Sequence, residues 1–135
     1  MTTTDLTGQL TPGTELPRLE IGPITRRMLA LFAGGSGDHQ PVHIDLDAAH
    51  ERGRDDVIAH GMISMAYLGR YLAGLFPQER LRSFDVRFSA VTPVLAEPVC
   101  SGKVTSVEDG IATLDLKVTL GDGTATVTGT ATVAV

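Results

Sequence analysis

The chain has 135 residues, 42% of them hydrophobic and 20% charged, enough to bury one core and too apolar for a disordered segment. Its formal net charge of -5 and pI of about 5.2 run against non-specific nucleic-acid binding, which needs a basic face to displace counterions. No run is long and apolar enough to span a membrane, and the single cysteine, Cys100, allows neither an intrachain disulfide nor a thiolate metal cluster.

Residues 1–12, rich in Thr and Gly and ending at Pro12, read as a loosely held arm. The start, Met1-Thr2-Thr3-Thr4-Asp5, lacks the charge and apolar run of a secretory signal, so a cytoplasmic protein is expected. Glu15 to Ile21 suggests a short strand. A helix follows from Pro23-Ile24-Thr25, with Thr25 as N-cap and Met28, Leu29, Leu31 and Phe32 as its apolar positions. Gly34-Gly35-Ser36-Gly37 ends it. A polar loop from Ser36 to Val42 leads to a short helix capped by Asp45 or Asp47 and closed at Gly53.

Residues 61–76 carry apolar side chains on nearly every face, which predicts a buried helix ended by Pro77. The period then changes to two. Phe84, Val86, Phe88 and Ala90 alternate with polar residues, as do Leu114, Leu116, Val118 and Leu120, and then Val127, Ala131 and Val133. A less regular strand, Val99 to Val107, lies between the first two. Asp109-Gly110 and Gly121-Asp122-Gly123 are hairpin turns. One buried helix followed by four strands on mostly short turns predicts a single α+β domain over residues 1–135, an antiparallel sheet curled around the helix.

The densest cluster of reactive groups is Gly37-Asp38-His39-Gln40-Pro41-Val42-His43-Ile44-Asp45. His39 and His43 have the spacing of two metal ligands on a helix, but Pro41 lies between them and a helix interior does not accept it. Cys100 sits in an expected strand with no nearby His, and Ser36 lacks a nucleophile-elbow context. What remains is a carboxylate and an imidazole, Asp38 and His43, able to hold and release protons near neutral pH. Two readings of Asp38 stand at this point: a proton carrier, or a turn residue satisfying loop amides. His60-Gly61-Met62 opens the buried helix, where unpaired N–H groups face the positive dipole end. The Gly61 N–H could stabilise an oxyanion, or Gly61 could only permit close packing.

Ser36-Gly37-Asp38-His39-Gln40-Pro41-Val42-His43-Ile44-Asp45 closely resembles the hydratase signature of MaoC-like, (R)-specific enoyl-thioester hydratases and dehydratases. Ile58-Ala59-His60-Gly61-Met62 matches the start of that family's central helix, and Val86 to Val94 resembles its next strand. The resemblance covers roughly residues 15 to 135 and extends to small dehydratase subunits acting on carrier-bound acyl chains. It implies a hot-dog fold, usually dimeric, with Asp38 and His43 as the acid–base pair and the Gly61 N–H on the thioester carbonyl. The product would be an (R)-3-hydroxyacyl thioester, with no metal or redox cofactor. One position departs: the family commonly has Asn before the Pro, and here Gln40 carries the amide on a longer stem. Ser36, Gln40, His60 and His39 are expected to support the pair rather than carry protons.

The substrate implied is an acyl-CoA or acyl-carrier-protein thioester, for which some of the arginines Arg26, Arg27, Arg52, Arg54, Arg70, Arg80, Arg82 and Arg87 would suit a phosphate. A homodimer is expected, with a heterodimer beside a related subunit as the alternative. Two other functions remain open: a hot-dog thioesterase, and a non-catalytic acyl-CoA-binding or partner subunit.

Overall fold

The computed structural model describes residues 4–135. Thr25 accepts a hydrogen bond from the Met28 N–H and starts α1, Arg26–Ser36; Gly37 ends it with φ 77°, a left-handed conformation that glycine adopts without penalty. Asp45 caps α2, Leu46–Glu51, by accepting from the Asp47 and Ala48 amides. The long helix α3 spans Gly61–Leu75 and stops before Pro77.

Five strands form one antiparallel sheet: β1 Leu19–Glu20, β2 Leu81–Phe88, β3 Val99–Glu108, β4 Ile111–Thr119 and β5 Ala125–Ala134, in the order β1-β3-β4-β5-β2. Both expected hairpins form. Asp109 and Gly110 turn with φ 50° and 75° between the paired Glu108 and Ile111, the positive-φ pair that suits strand twist. β2 begins earlier than the alternation suggested and leaves the ladder at Phe88, where the Ser89 and Ala90 amides both donate to the Thr126 carbonyl. The strand expected over Glu15–Ile21 pairs with β3 in two pieces, Glu15 to Lys103 and then Leu19–Glu20 to Cys100 and Val99. Pro17 lies between the two pieces, and it has no N–H to give a ladder.

The inner face of the sheet presents Cys100, Val104, Leu114, Leu116, Val118, Val127, Ala131 and Val133 to Leu68, Tyr71, Leu72 and Phe76 of the helix and its end. A smaller cluster of Ile24, Leu29, Ala49, Val57, Ala59 and Ile63 holds α1, α2 and the start of α3 together. This is the hot-dog arrangement of a sheet against a central helix. The helix is buried by one face, not all round: Ile63, Ser64, Leu68, Tyr71 and Leu72 are buried, while Met62 is 53% exposed. The expected loose arm is also corrected from Thr4 onward. The Thr4 and Leu6 amides donate to the Gly74 and Leu75 carbonyls, and buried Leu10 joins the core. An apolar side chain with a pocket to fill ties down a segment whose composition looks like a tail. Residues 1–3 of that arm lie outside the described residues.

Candidate active site

The loop after α1 is built by short-range bonds. The Asp38 N–H donates to Ser36 Oγ at 3.3 Å, Asp38 Oδ1 accepts from the Gln40 N–H at 3.3 Å, and the Gln40 carbonyl accepts from the His43 N–H at 3.0 Å. Pro41 opens a single 3-10 turn, Pro41–His43, whose start needs no donor. The turn reading of Asp38 is met by one oxygen, and the other is left free to face His43. Oδ1 orders the loop, and Oδ2 faces His43 Nε2 at 3.8 Å.

His43 is oriented from its other side. Its Nδ1 lies 2.8 Å from the Ile58 carbonyl, so Nδ1 carries the hydrogen and Nε2 presents a lone pair toward Asp38. The Ile58 N–H donates in turn to the Val42 carbonyl at 3.1 Å, which fastens this segment to the loop. The gap between Oδ2 and Nε2 is too wide for a direct hydrogen bond. Both groups are acceptors in this state, so they can grip one small donor between them.

His60, the N-cap residue of α3, is buried. Its Nε2–H donates to the Asp38 carbonyl at 3.0 Å, its ring stacks on His43 with centroids 3.9 Å apart, and Phe32 packs at its edge at 4.9 Å. Its Nδ1 has no partner among the described residues. Burial is the main cause holding its pKa below the ordinary 6.5, since a buried imidazolium loses hydration. Stability from keeping this ring neutral is present above pH 6.5 and is lost as pH falls through the lowered value. Denaturant titrations at pH 7.5 and 5.5 are therefore expected to show a smaller acid-induced loss in His60→Gln than in the wild type. Equal losses would count against a neutral buried ring.

Gly61 opens α3, and no described backbone carbonyl accepts its N–H. A side chain there would meet Phe88, whose Cδ1 lies 3.2 Å from the position of a Cβ. The sequence analysis did not single out Phe88 for this contact, nor Ser64 and Thr92, whose buried hydroxyls sit 3.5 Å apart. Ser64 was detectable as the one aliphatic hydroxyl in the apolar run 61–69; its partner, 28 residues away, was not. A cleft of about 360 Å³ is lined by His43, Gly61, Ser64, Phe88 and Thr92. A second, of about 470 Å³, is lined by Phe32, Ser36, Asp38, Met62, Met65 and Phe84. Asp38 and His43 thus stand between a cleft with hydroxyls and an apolar one.

His39 is exposed, and neither it nor the Gln40 side chain makes a hydrogen bond among the described residues. Gln40 serves the loop through its backbone. Asp38, His43 and His60 bring three potential metal donors within 4.8 Å of one another. The imidazole rings are stacked with their planes only 23° apart, however, and one nitrogen of each ring already donates to a carbonyl. That set suits proton handling better than a tetrahedral ion. Cys100 lies in the core, where burial pushes its thiol up to about 11, far from a nucleophile's range.

Comparison with known proteins agrees with this fold. Residues 9–128 match the model of the MaoC like domain. The chain is 30% identical over 118 residues to 3-hydroxyacyl-thioester dehydratase Z of Mycobacterium tuberculosis, covering 83% of this chain and 72% of that protein. Its fold is similar to the unliganded R-hydratase PhaJ1 of Pseudomonas aeruginosa, with a TM-score of 0.84 and 25% identity over 95% of this chain and 83% of that one. It is also similar to the (R)-hydratase of A. caviae, with a TM-score of 0.79 and 28% identity over 93% and 97%.

Proposed function

The chain belongs to the MaoC-like domain family, and from that premise we propose that it interconverts trans-2-enoyl and (R)-3-hydroxyacyl thioesters with Asp38 and His43 as its acid–base pair. The observation that carries this reading is the facing of Asp38 Oδ2 and His43 Nε2 at 3.8 Å, each side chain fixed from behind by a hydrogen bond to backbone, Asp38 to the Gln40 N–H and His43 to the Ile58 carbonyl. Two acceptors at that separation hold a water by its two hydrogens. In hydration the water oxygen bonds to the substrate β-carbon as one acceptor takes its proton. That same group then delivers the proton to the α-carbon while the other acceptor keeps hold of the water's second hydrogen, so H and OH are both added. Dehydration reverses each step.

The Gly61 N–H, free at the positive end of α3, polarises the thioester carbonyl and stabilises the enolate-like charge as the α-carbon gains electron density. The thioester arm fits the cleft with the Ser64 and Thr92 hydroxyls, and the acyl chain fits the apolar cleft of Met62, Met65 and Phe84. The thioester is carried on CoA or a carrier protein. No step calls for a metal or redox group.

The working unit is a homodimer in this reading. β2 is an edge strand with β5 as its neighbour, its Phe88 is 50% exposed, and beside it α3 leaves Met62 uncovered. An exposed edge of eight residues with apolar side chains is satisfied by a second copy.

The test is the ultraviolet absorbance of crotonyl-CoA and a longer 2-enoyl-CoA mixed with the protein, with free thiol followed in parallel. Loss of the conjugated band without thiol release is expected. Thiol release would replace this reading with a thioesterase; an unchanged band with carrier-bound substrates as well would leave only a binding role.

A further inference from the structure

Asp38 and His43 are useful only if their distance is held, and little in the loop itself holds it. Asp38 sits on a glycine-flanked turn and its side chain is 42% exposed. Within the loop its bonds reach Ser36 and Gln40, two residues to either side. His43 is anchored to Ile58. One group joins the two. The buried His60 ring donates its Nε2–H to the Asp38 carbonyl and lies flat under His43.

We propose that His60 is a positioning residue, whose Nε2–H tethers the Asp38 backbone from across the site while its ring face sets the plane of His43, so that the two reacting groups are fixed to one another. The geometry supports this over a purely structural role. A histidine placed only to fill a core would satisfy both nitrogens or be replaced by an apolar ring, because an unpaired buried nitrogen is destabilising. Here Nδ1 has no described partner, and the nitrogen that is satisfied holds the residue bearing the carboxylate. His60 is also the N-cap of α3 without capping it by its side chain. The tether therefore ties the Asp38 loop to the residue next to Gly61, and the proton pair and the N–H proposed for the thioester carbonyl move as one body. Misplacing a reacting group by about 1 Å costs on the order of 100-fold in rate.

This inference rests on the hydration reading, and its test has one arm that does not. His60→Phe keeps a flat ring of similar size and removes the donor. His60→Gln keeps a donor at the reach of Nε2 and removes the ring. In His60→Phe, kcat for crotonyl-CoA is expected to fall about 10- to 100-fold with KM little changed, and the midpoint of thermal unfolding is expected to hold or rise as the orphan nitrogen is lost. Amide exchange at Gln40, His43 and Ile44 is expected to accelerate. His60→Gln is expected to restore the amide protection and most of kcat. The exchange arm decides the tether even if the thioester substrate is wrong. Unchanged loop exchange in His60→Phe would overturn the proposal, as would a kcat that follows thermal stability alone, or a His60→Gln variant as damaged as His60→Phe.

Discussion

Asp38→Asn is expected to lower kcat for crotonyl-CoA hydration by about 10²- to 10⁴-fold, the range of a positioned acid–base group, while leaving the fold and KM nearly intact. The asymmetry comes from the two oxygens of this carboxylate. Oδ1 accepts from the Gln40 N–H and shapes the loop; an asparagine carbonyl oxygen accepts the same bond. Oδ2 faces His43 and has no other partner among the described residues; an amide there can neither take nor release a proton at neutral pH. His43→Ala is expected to lose a similar factor, because Nε2, the group that faces Oδ2, disappears. The double variant is expected to lose little beyond the worse single one, since a pair that shares one water fails as a unit. Stopped-flow absorbance at saturating substrate, with circular dichroism on each variant, gives these comparisons. Asp38→Asn within threefold of wild type would remove Asp38 from the chemistry.

What could be read in the chain before its structure was the part governed by near neighbours. Thr25 and Asp45 cap helices because a short oxygen reaches amides two or three residues on. Gly37 ends α1 and Asp109-Gly110 turns a hairpin because φ is positive at both places. β2, β4 and β5 follow from alternation, and the loop carrying Asp38 and His43 stands out by its density of polar groups between two helices. What could not be read depends on groups far apart in sequence. His60 meets the Asp38 carbonyl across 22 residues, and Ser64 meets Thr92 across 28. The placement of Phe88 over Gly61 follows from where β2 leaves the ladder, a boundary that alternation located poorly. Leu10 illustrates the same limit in the opposite direction, for only the folded sheet supplies the pocket that makes a Thr-rich segment pack.

The Gly61 N–H can be tested although it belongs to the backbone, because the first helical position tolerates proline. Proline there lacks only an N–H that the helix does not use, and its φ suits the first turn. The preceding residue must be extended, and His60 already has ψ 132°. Gly61→Pro therefore removes the donor while α3 keeps its start. Its added carbon would press on Phe88, 3.2 Å away, but that ring is half exposed and free to swing outward. Gly61→Ala brings the same first carbon and keeps the N–H, so it isolates the steric part. Against Gly61→Ala, the proline variant is expected to lose a further ~100- to 1,000-fold in kcat, the cost of removing one donor from a developing oxyanion. Most of the loss should appear in kcat rather than KM, because the charge on the carbonyl oxygen grows only as the α-carbon gains electron density. Equal rates in the two variants would show that the carbonyl is held elsewhere, with Ser64 and Thr92, buried in the wall of the same cleft, as the next donors to remove. A large loss confined to proline would make the first turn of α3 part of the chemistry, and Gly61 a residue required for its absent side chain and its present N–H together.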